Sequence, residues 1–212
     1  MCGLQADRGA SLTEDQARAA SGDSPGETGA GRRRVVPLAV IAVVVLAVDV
    51  ATKLIAVATL QDRPPVKLLG GAVYLVHARN TGAAFSLGEG YTIALSLFAI
   101  GVVAYIVRAA RRLRSLGWAV GLGLVLGGAL GNLLDRVFRA PGFLRGGVVD
   151  FLSLFDEGGR VWPVFNVADS CLVTGVCLLV LMVFRGIQAD GTRAGEVRPD
   201  PAGPAVSPDL GP

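Results

Sequence analysis

Four apolar blocks, at about 35–58, 91–107, 116–134 and 166–184, constrain this chain more than any other feature of its 212 residues. The hydrocarbon core of a bilayer is about 30 Å thick, and a helix needs roughly 20 apolar residues to cross it. Each block reaches or approaches that length. The shortest, 91–107, has polar flanks, and its neighbours demand a return crossing. With 52% hydrophobic and 17% charged residues and a mean hydropathy of +0.55, the chain is too apolar for a soluble domain of this size. The expected fold class is an all-α membrane protein, a single domain of four transmembrane helices.

Charge placement orients that bundle. Arg32, Arg33 and Arg34 precede the first block, Arg108, Arg111, Arg112 and Arg114 lie between the second and third, and Arg185 follows the fourth. Positive charge near span ends marks the cytoplasmic side, so both termini are expected inside, with 61–90 and 135–165 outside. The arginines thus explain the net charge of +3 without nucleic-acid binding. Residues 1–31 and 186–212 are rich in Gly, Ala, Pro and charged residues and cannot bury enough apolar surface to offset ordering. They are expected to be disordered cytoplasmic tails flanking a domain at 32–185. The first block resembles a signal peptide in its Arg-rich start and Ala56-Val57-Ala58. Its length, with Asp49 and Lys53 near its end, argues for a retained span.

The outer segments carry their own signals. Val66–Leu69 and Val73–Arg79 read as two β-like runs separated by Gly70-Gly71, a small hairpin on the membrane. Pro141-Gly142 and Gly146-Gly147 break the chain ahead of Val148–Leu152, and Phe138-Arg139 with Phe143-Leu144 can form an interfacial turn. Cys171 and Cys177 read as small apolar residues of the fourth span, and Cys2 is only weakly suggestive of lipidation. His77, the one histidine, has no neighbouring His or Cys to complete a metal site, and no cofactor is expected.

Polar residues in the blocks are the candidates for chemistry, because charge at the edge of hydrocarbon is costly and tends to be kept for function. Asp49 and Lys53 are i,i+4 on one helix face, where they can be a structural ion pair or part of a site. Asn80 opens a small-residue loop, Asn80–Ser86, that can admit an extended peptide or simply turn into a helix. Asn132 and Arg136 share a face at the end of the third block, with Asp135 displaced around the helix, and either anchor the span or position a carbonyl. Asp150 precedes the fourth block and Asp169 lies in its first turn, with Asn166 on the same face. If the segment between the two aspartates, which are 19 positions apart, folds back, their carboxyls can share one proton, one activating water while the other polarises a carbonyl. Each aspartate could instead cap a helix or pair with an arginine.

The runs Asp49-x-x-Thr52-Lys53, Asn80–Ser86, Gly127–Val137, Val148-Val149-Asp150-Phe151 and Phe165-Asn166-x-Ala168-Asp169-Ser170, in this order on four spans, resemble the lipoprotein (type II) signal peptidases, integral-membrane aspartic proteases, over about residues 35–184. The resemblance implies cleavage of bacterial prolipoprotein signal peptides before a diacylglyceryl-modified cysteine. It implies a catalytic dyad at Asp150 and Asp169 and a substrate site lined by Asn80, Asn132, Arg136 and Asn166, supported by Asp49, Lys53 and Asp135. It also implies a β-cradle and an interfacial lid outside the membrane. The expected setting is the bacterial plasma membrane, with the active site on the extracytoplasmic side, and the expected partners are prolipoprotein substrates and membrane lipids, acting on a monomer. Two other readings compete: a small proton-coupled transporter with Asp49, Asp150 and Asp169 as a relay, and a non-catalytic membrane scaffold.

Overall fold

The computed structural model describes residues 33–82 and 91–193. Most of both expected tails, Cys2 and the stretch 83–86 of the small-residue loop lie outside the described residues. Four helices, α1 (Val35–Leu60), α2 (Tyr91–Ala109), α3 (Leu116–Phe138) and α4 (Val167–Phe184), match the four blocks, and each has an apolar window long enough to cross a membrane. Pro37 falls in the first turn of α1, where a missing N–H leaves no intrahelical bond unmade. The second block exceeds its expected end at 107: α2 runs on through a 3-10 turn at Ala110–Arg112, giving a 21-residue stretch from Thr92 to Arg112. Long arginine stems can extend a span in this way because their charged ends reach water.

α3 is the central helix. In its apolar window 61% of residues are buried, against 22% or less in the other three. Glycines make that possible. A Cβ on Gly127 would stand 2.8 Å from the Ala42 carbonyl of α1, and one on Gly128 would stand 2.5 Å from the Ala168 carbonyl of α4. In hydrocarbon, where apolar burial supplies no drive, such close backbone approach gives helices the dispersion contacts that hold them together. On α1, Leu38, Ala42, Val45, Asp49, Lys53, Ala56 and Leu60 form one buried stripe, while Val36, Val40, Val43, Leu54 and Ile55 are exposed. A helix apolar on both its buried and its exposed sides belongs in a lipid environment.

A three-stranded antiparallel sheet caps one end, built from β1 (Val66–Leu68), β2 (Val73–Asn80) and β3 (Val148–Leu154) in that order. The expected hairpin forms, with Lys67 opposite Tyr74. The third strand was not anticipated. It pairs Leu75 with Leu152 and Ala78 with Asp150, so Val76 and His77 of β2 oppose Phe151 alone, forming a bulge. On its other side, Leu152 and Phe165 exchange backbone bonds of 2.9 Å in each direction. That bridge is the fold-back that carries the chain from β3 into α4.

Two smaller contacts fix the segments around the sheet. Gly146 N–H donates to the Arg136 carbonyl at 2.9 Å, satisfying an orphan acceptor at the end of α3. A Cβ there would lie 2.3 Å from the Asp135 carbonyl, so the approach requires glycine. The buried Ser96 hydroxyl of α2 hydrogen-bonds the Leu144 carbonyl at 2.9 Å. At the opposite end, the order continues past the expected boundary at 185. Gly186–Arg193 forms a turn in which the Ala189 carbonyl accepts from Arg114 and Ser115 N–H at 2.9 and 3.1 Å, and the Ile187 carbonyl accepts from the Trp118 indole at 2.8 Å. Those bonds to the α2–α3 connection offset the ordering entropy that composition alone suggested would prevail.

Candidate active site

The start of α4 organises the polar end of the bundle. Asn166 is its N-cap: Asn166 Oδ1 accepts the Asp169 N–H at 3.0 Å, and Asp169 Oδ2 accepts the Asn166 N–H at 3.2 Å, a reciprocal capping box. The next free donor, Ala168 N–H, is taken by Asp49 Oδ1 of α1 at 2.9 Å. Three helix-start groups are thereby satisfied inside the protein, as a buried helix end requires. The fold-back at Phe165 sets Asn166 beside β3, and its side-chain amide donates to Asp150 Oδ1 at 2.6 Å. Both aspartates therefore touch one asparagine.

Asn132 of α3 forms the second link. Its Nδ2 donates to Asp169 Oδ1 at 2.7 Å, while its Oδ1 accepts from Lys53 Nζ at 3.0 Å and from Asn166 Nδ2 at 3.2 Å. Lys53, 1% exposed, lies 2.7 Å from Asp49 Oδ2 and 3.1 Å from Asp135 Oδ2. Two carboxylates around one ammonium, with an amide oxygen as third acceptor, satisfy a charge that would otherwise be prohibitive to bury. Gly131 makes room for this group, since a Cβ there would stand 2.4 Å from Asp49 Oδ2.

Asp135 reaches in two further directions. It pairs with Arg139 and accepts the Val149 N–H at 3.2 Å, which anchors β3 one residue before Asp150. Asn80, at the end of β2, is near enough to the Asp150 carboxyl to favour its charged form and accepts the Gly82 N–H at 3.2 Å. Arg136 is placed differently from its neighbours. Its Nη1 lies 3.4 Å from the Asn132 carbonyl, its Nε is buried with no hydrogen-bond partner among the described residues, and it acts on Asp169 and Asp150 through space.

All nine sequence-predicted residues thus gather at one end of the bundle: Asp150 and Asp169 with Asn80, Asn132, Asn166 and Arg136 around them, and Asp49, Lys53 and Asp135 behind. Asp150 is 2% exposed. Burial, and then the charge of Asp169, push its carboxyl up from 3.8 to about 7, against the opposing effect of the Asn166 and Asn80 side chains. Arg139 was missed as an ion-pair partner, although its i,i+4 spacing from Asp135 was visible. The Val149 and Ala168 backbone donors carry no side-chain signal at all. Among the described residues no group of three His, Cys, Asp or Glu side chains is placed to hold a metal ion.

Residues 41–185 match the family model of signal peptidase (SPase) II. The chain belongs to the signal peptidase II family. It is 54% identical over 175 residues to a lipoprotein signal peptidase of Rhodococcus jostii, covering 82% of this chain and 85% of that one. It is 43% identical over 178 residues to one of Streptomyces griseus, covering 84% and 88%, and 52% identical over 158 residues to one of Mycobacterium tuberculosis, covering 74% and 76%. Two bacterial membrane enzymes solved by the in meso method share the fold. One aligns with a TM-score of 0.59 at 30% identity, over 68% of this chain and 85% of the other; the second with 0.58 at 29%, over 69% and 91%. Membership makes this a multi-pass membrane protease and sets aside the transporter and scaffold readings.

Proposed function

We propose that this peptidase removes signal peptides from bacterial prolipoproteins, cleaving before a diacylglyceryl-modified cysteine, with Asp150 and Asp169 as its catalytic dyad. The observation that carries the reading is that both carboxylates are held by neutral amides, on the shared Asn166, at one end of the bundle, next to a sheet that can receive an extended peptide. Asp169, half-buried and accepting from Asn132 and the Asn166 N–H, suits the ionised member. Asp150, deeply buried beside that charge, suits the protonated member.

In the proposed reaction Asp169 takes a proton from water as its oxygen attacks the scissile carbonyl, and Asp150 donates its proton to the carbonyl oxygen. The tetrahedral intermediate then collapses: the C–N bond breaks, Asp169 passes its proton to the leaving nitrogen, and the hydroxyl proton returns to Asp150. Asn80 and the unused Nε of Arg136 are donors suited to the peptide backbone. The arginine-rich end of the bundle favours a cytoplasmic location for both termini. That orientation puts the dyad on the extracytoplasmic side of the plasma membrane, where a monomer would meet its lipid-anchored substrate.

The test is a membrane assay on diacylglyceryl-prolipoprotein with Asp150→Asn and Asp169→Asn. Loss of processing by either variant, with the protein still folded, is expected. Normal processing by both would overturn the dyad.

A further inference from the structure

The end of the bundle opposite the dyad holds a second charged feature that peptide cleavage leaves unexplained. A cavity of about 360 Å³ is lined there by Arg33, Arg111, Arg112, Arg114, Asp190 and Thr192, a volume in the range of small-molecule sites. The three chain segments that meet here are held by backbone bonds. Arg34 N–H donates to the Leu113 carbonyl at 2.9 Å, and the Arg114 and Ser115 N–H groups donate to the Ala189 carbonyl. The backbone around the cavity is therefore set by the fold, and the four arginine side chains that line it are exposed.

Among the described residues its charge is unbalanced: four arginines and one carboxylate line it, and Asp190 Oδ1 accepts from Thr192 N–H at 3.0 Å and from its hydroxyl at 2.7 Å. None of the four arginines forms an ion pair among the described residues. Next to Arg33, the Arg34 Nε is buried with no hydrogen-bond partner among those residues, a state that costs free energy unless a further acceptor is supplied. Several guanidinium groups around one space match the oxygens of a phosphate.

The surroundings decide which phosphate. Val35 and Val36 follow Arg33 and Arg34, Leu116 lies two residues beyond Arg114, and Val107 lies one turn before Arg111; all four are exposed. A phosphate bound here would have apolar helix surface directly beside it, as the headgroup of a lipid does and a free anion does not. We propose that this cavity is a binding site for the phosphate headgroup of an anionic phospholipid, with the acyl chains lying along the ends of α1, α2 and α3. The site is independent of the peptidase reading.

The experiment uses the full-length protein in detergent micelles, with thermal unfolding followed as phosphatidylglycerol, phosphatidylcholine or inorganic phosphate is titrated in. Phosphatidylglycerol is expected to raise Tm saturably, and phosphatidylcholine and inorganic phosphate are not. In Arg111→Gln/Arg112→Gln the half-point should move roughly 30-fold to weaker binding, and similarly in Arg33→Gln/Arg114→Gln, which guards against a local folding defect in either pair. Arg108→Gln/Arg185→Gln removes the same charge from the same end outside the cavity and should leave the half-point unchanged. Equal weakening in all three pairs would reduce the effect to general surface charge and overturn the site. A full Tm shift with inorganic phosphate alone would overturn the lipid assignment.

Discussion

Four carboxylates crowd one end of this bundle, and they divide into two pairs by the company they keep. Asp49 and Asp135 lie within 3.1 Å of the Lys53 ammonium, whereas Asp150 and Asp169 are held by the amides of Asn166 and Asn132. A carboxylate locked to a buried cation has one useful charge state, because removing the charge strands its partner. A carboxylate held by amides can gain or lose a proton without stranding anything. The first pair builds the scaffold. The second retains the freedom that acid–base chemistry needs.

That division can be broken experimentally. The largest effect is expected for Asp150→Asn or Asp169→Asn, which should lower turnover by roughly 10²–10⁴-fold or more with little change in thermal stability. Asp49→Asn should do the reverse. If Asp49→Asn abolished turnover while keeping full stability, the division would fail. Lys53→Ala should come next, costing about 3–5 kcal/mol of stability by leaving two buried carboxylates without their cation, read as lost yield or lowered Tm. Normal yield with abolished turnover would instead move Lys53 into the chemistry.

The pH dependence should follow. With Asp150 pushed up to about 7 from 3.8, the folded protein holds a proton that the unfolded chain has lost, so its contribution to stability falls as pH rises between those values. Activity that needs the protonated acid should then fall about tenfold per unit above pH 7, and the stability slope should vanish in Asp150→Asn. Unfolding profiles across that window, and rate profiles carried above pH 7, would check both. The smallest effect is expected for Gly131→Ala, whose methyl group would push on Asp49 Oδ2. It should cost about 1–3 kcal/mol, measured by Tm, and disturb the dyad only indirectly through Ala168.

The spans were legible because membrane crossing leaves a length signal in the sequence, and Asn166 with Asp169 was legible because helix starts carry a local signature. What stayed hidden was non-local. β3 reads as an apolar run until β2, from the other outer segment, pairs with it, and no local pattern announces that partner. The clustering of Asp49, Lys53 and Asp135 depended on Gly131 and on the approach of α1 to α3. The docked turn at Gly186–Arg193 was masked by a composition that, without its hydrogen-bonding partners, describes a tail.

The bulge in β2 has an effect on parity. In an antiparallel ladder, facing residues point to the same side and the sides alternate along each strand. Because Val76 and His77 share Phe151 as their opposite, Ala78 and Asn80 are in phase with Asp150 and Val148. Keep both residues but pair them regularly from Leu75 onward, without the bulge, and the count slips: His77 would face Asp150, and Arg79 would face Val148, taking the place of Asn80 on the aspartate's side of the sheet. A neutral amide beside the acid would become a permanent cation, favouring its ionised form. A single bulge in an otherwise regular ladder thus decides which kind of neighbour Asp150 has.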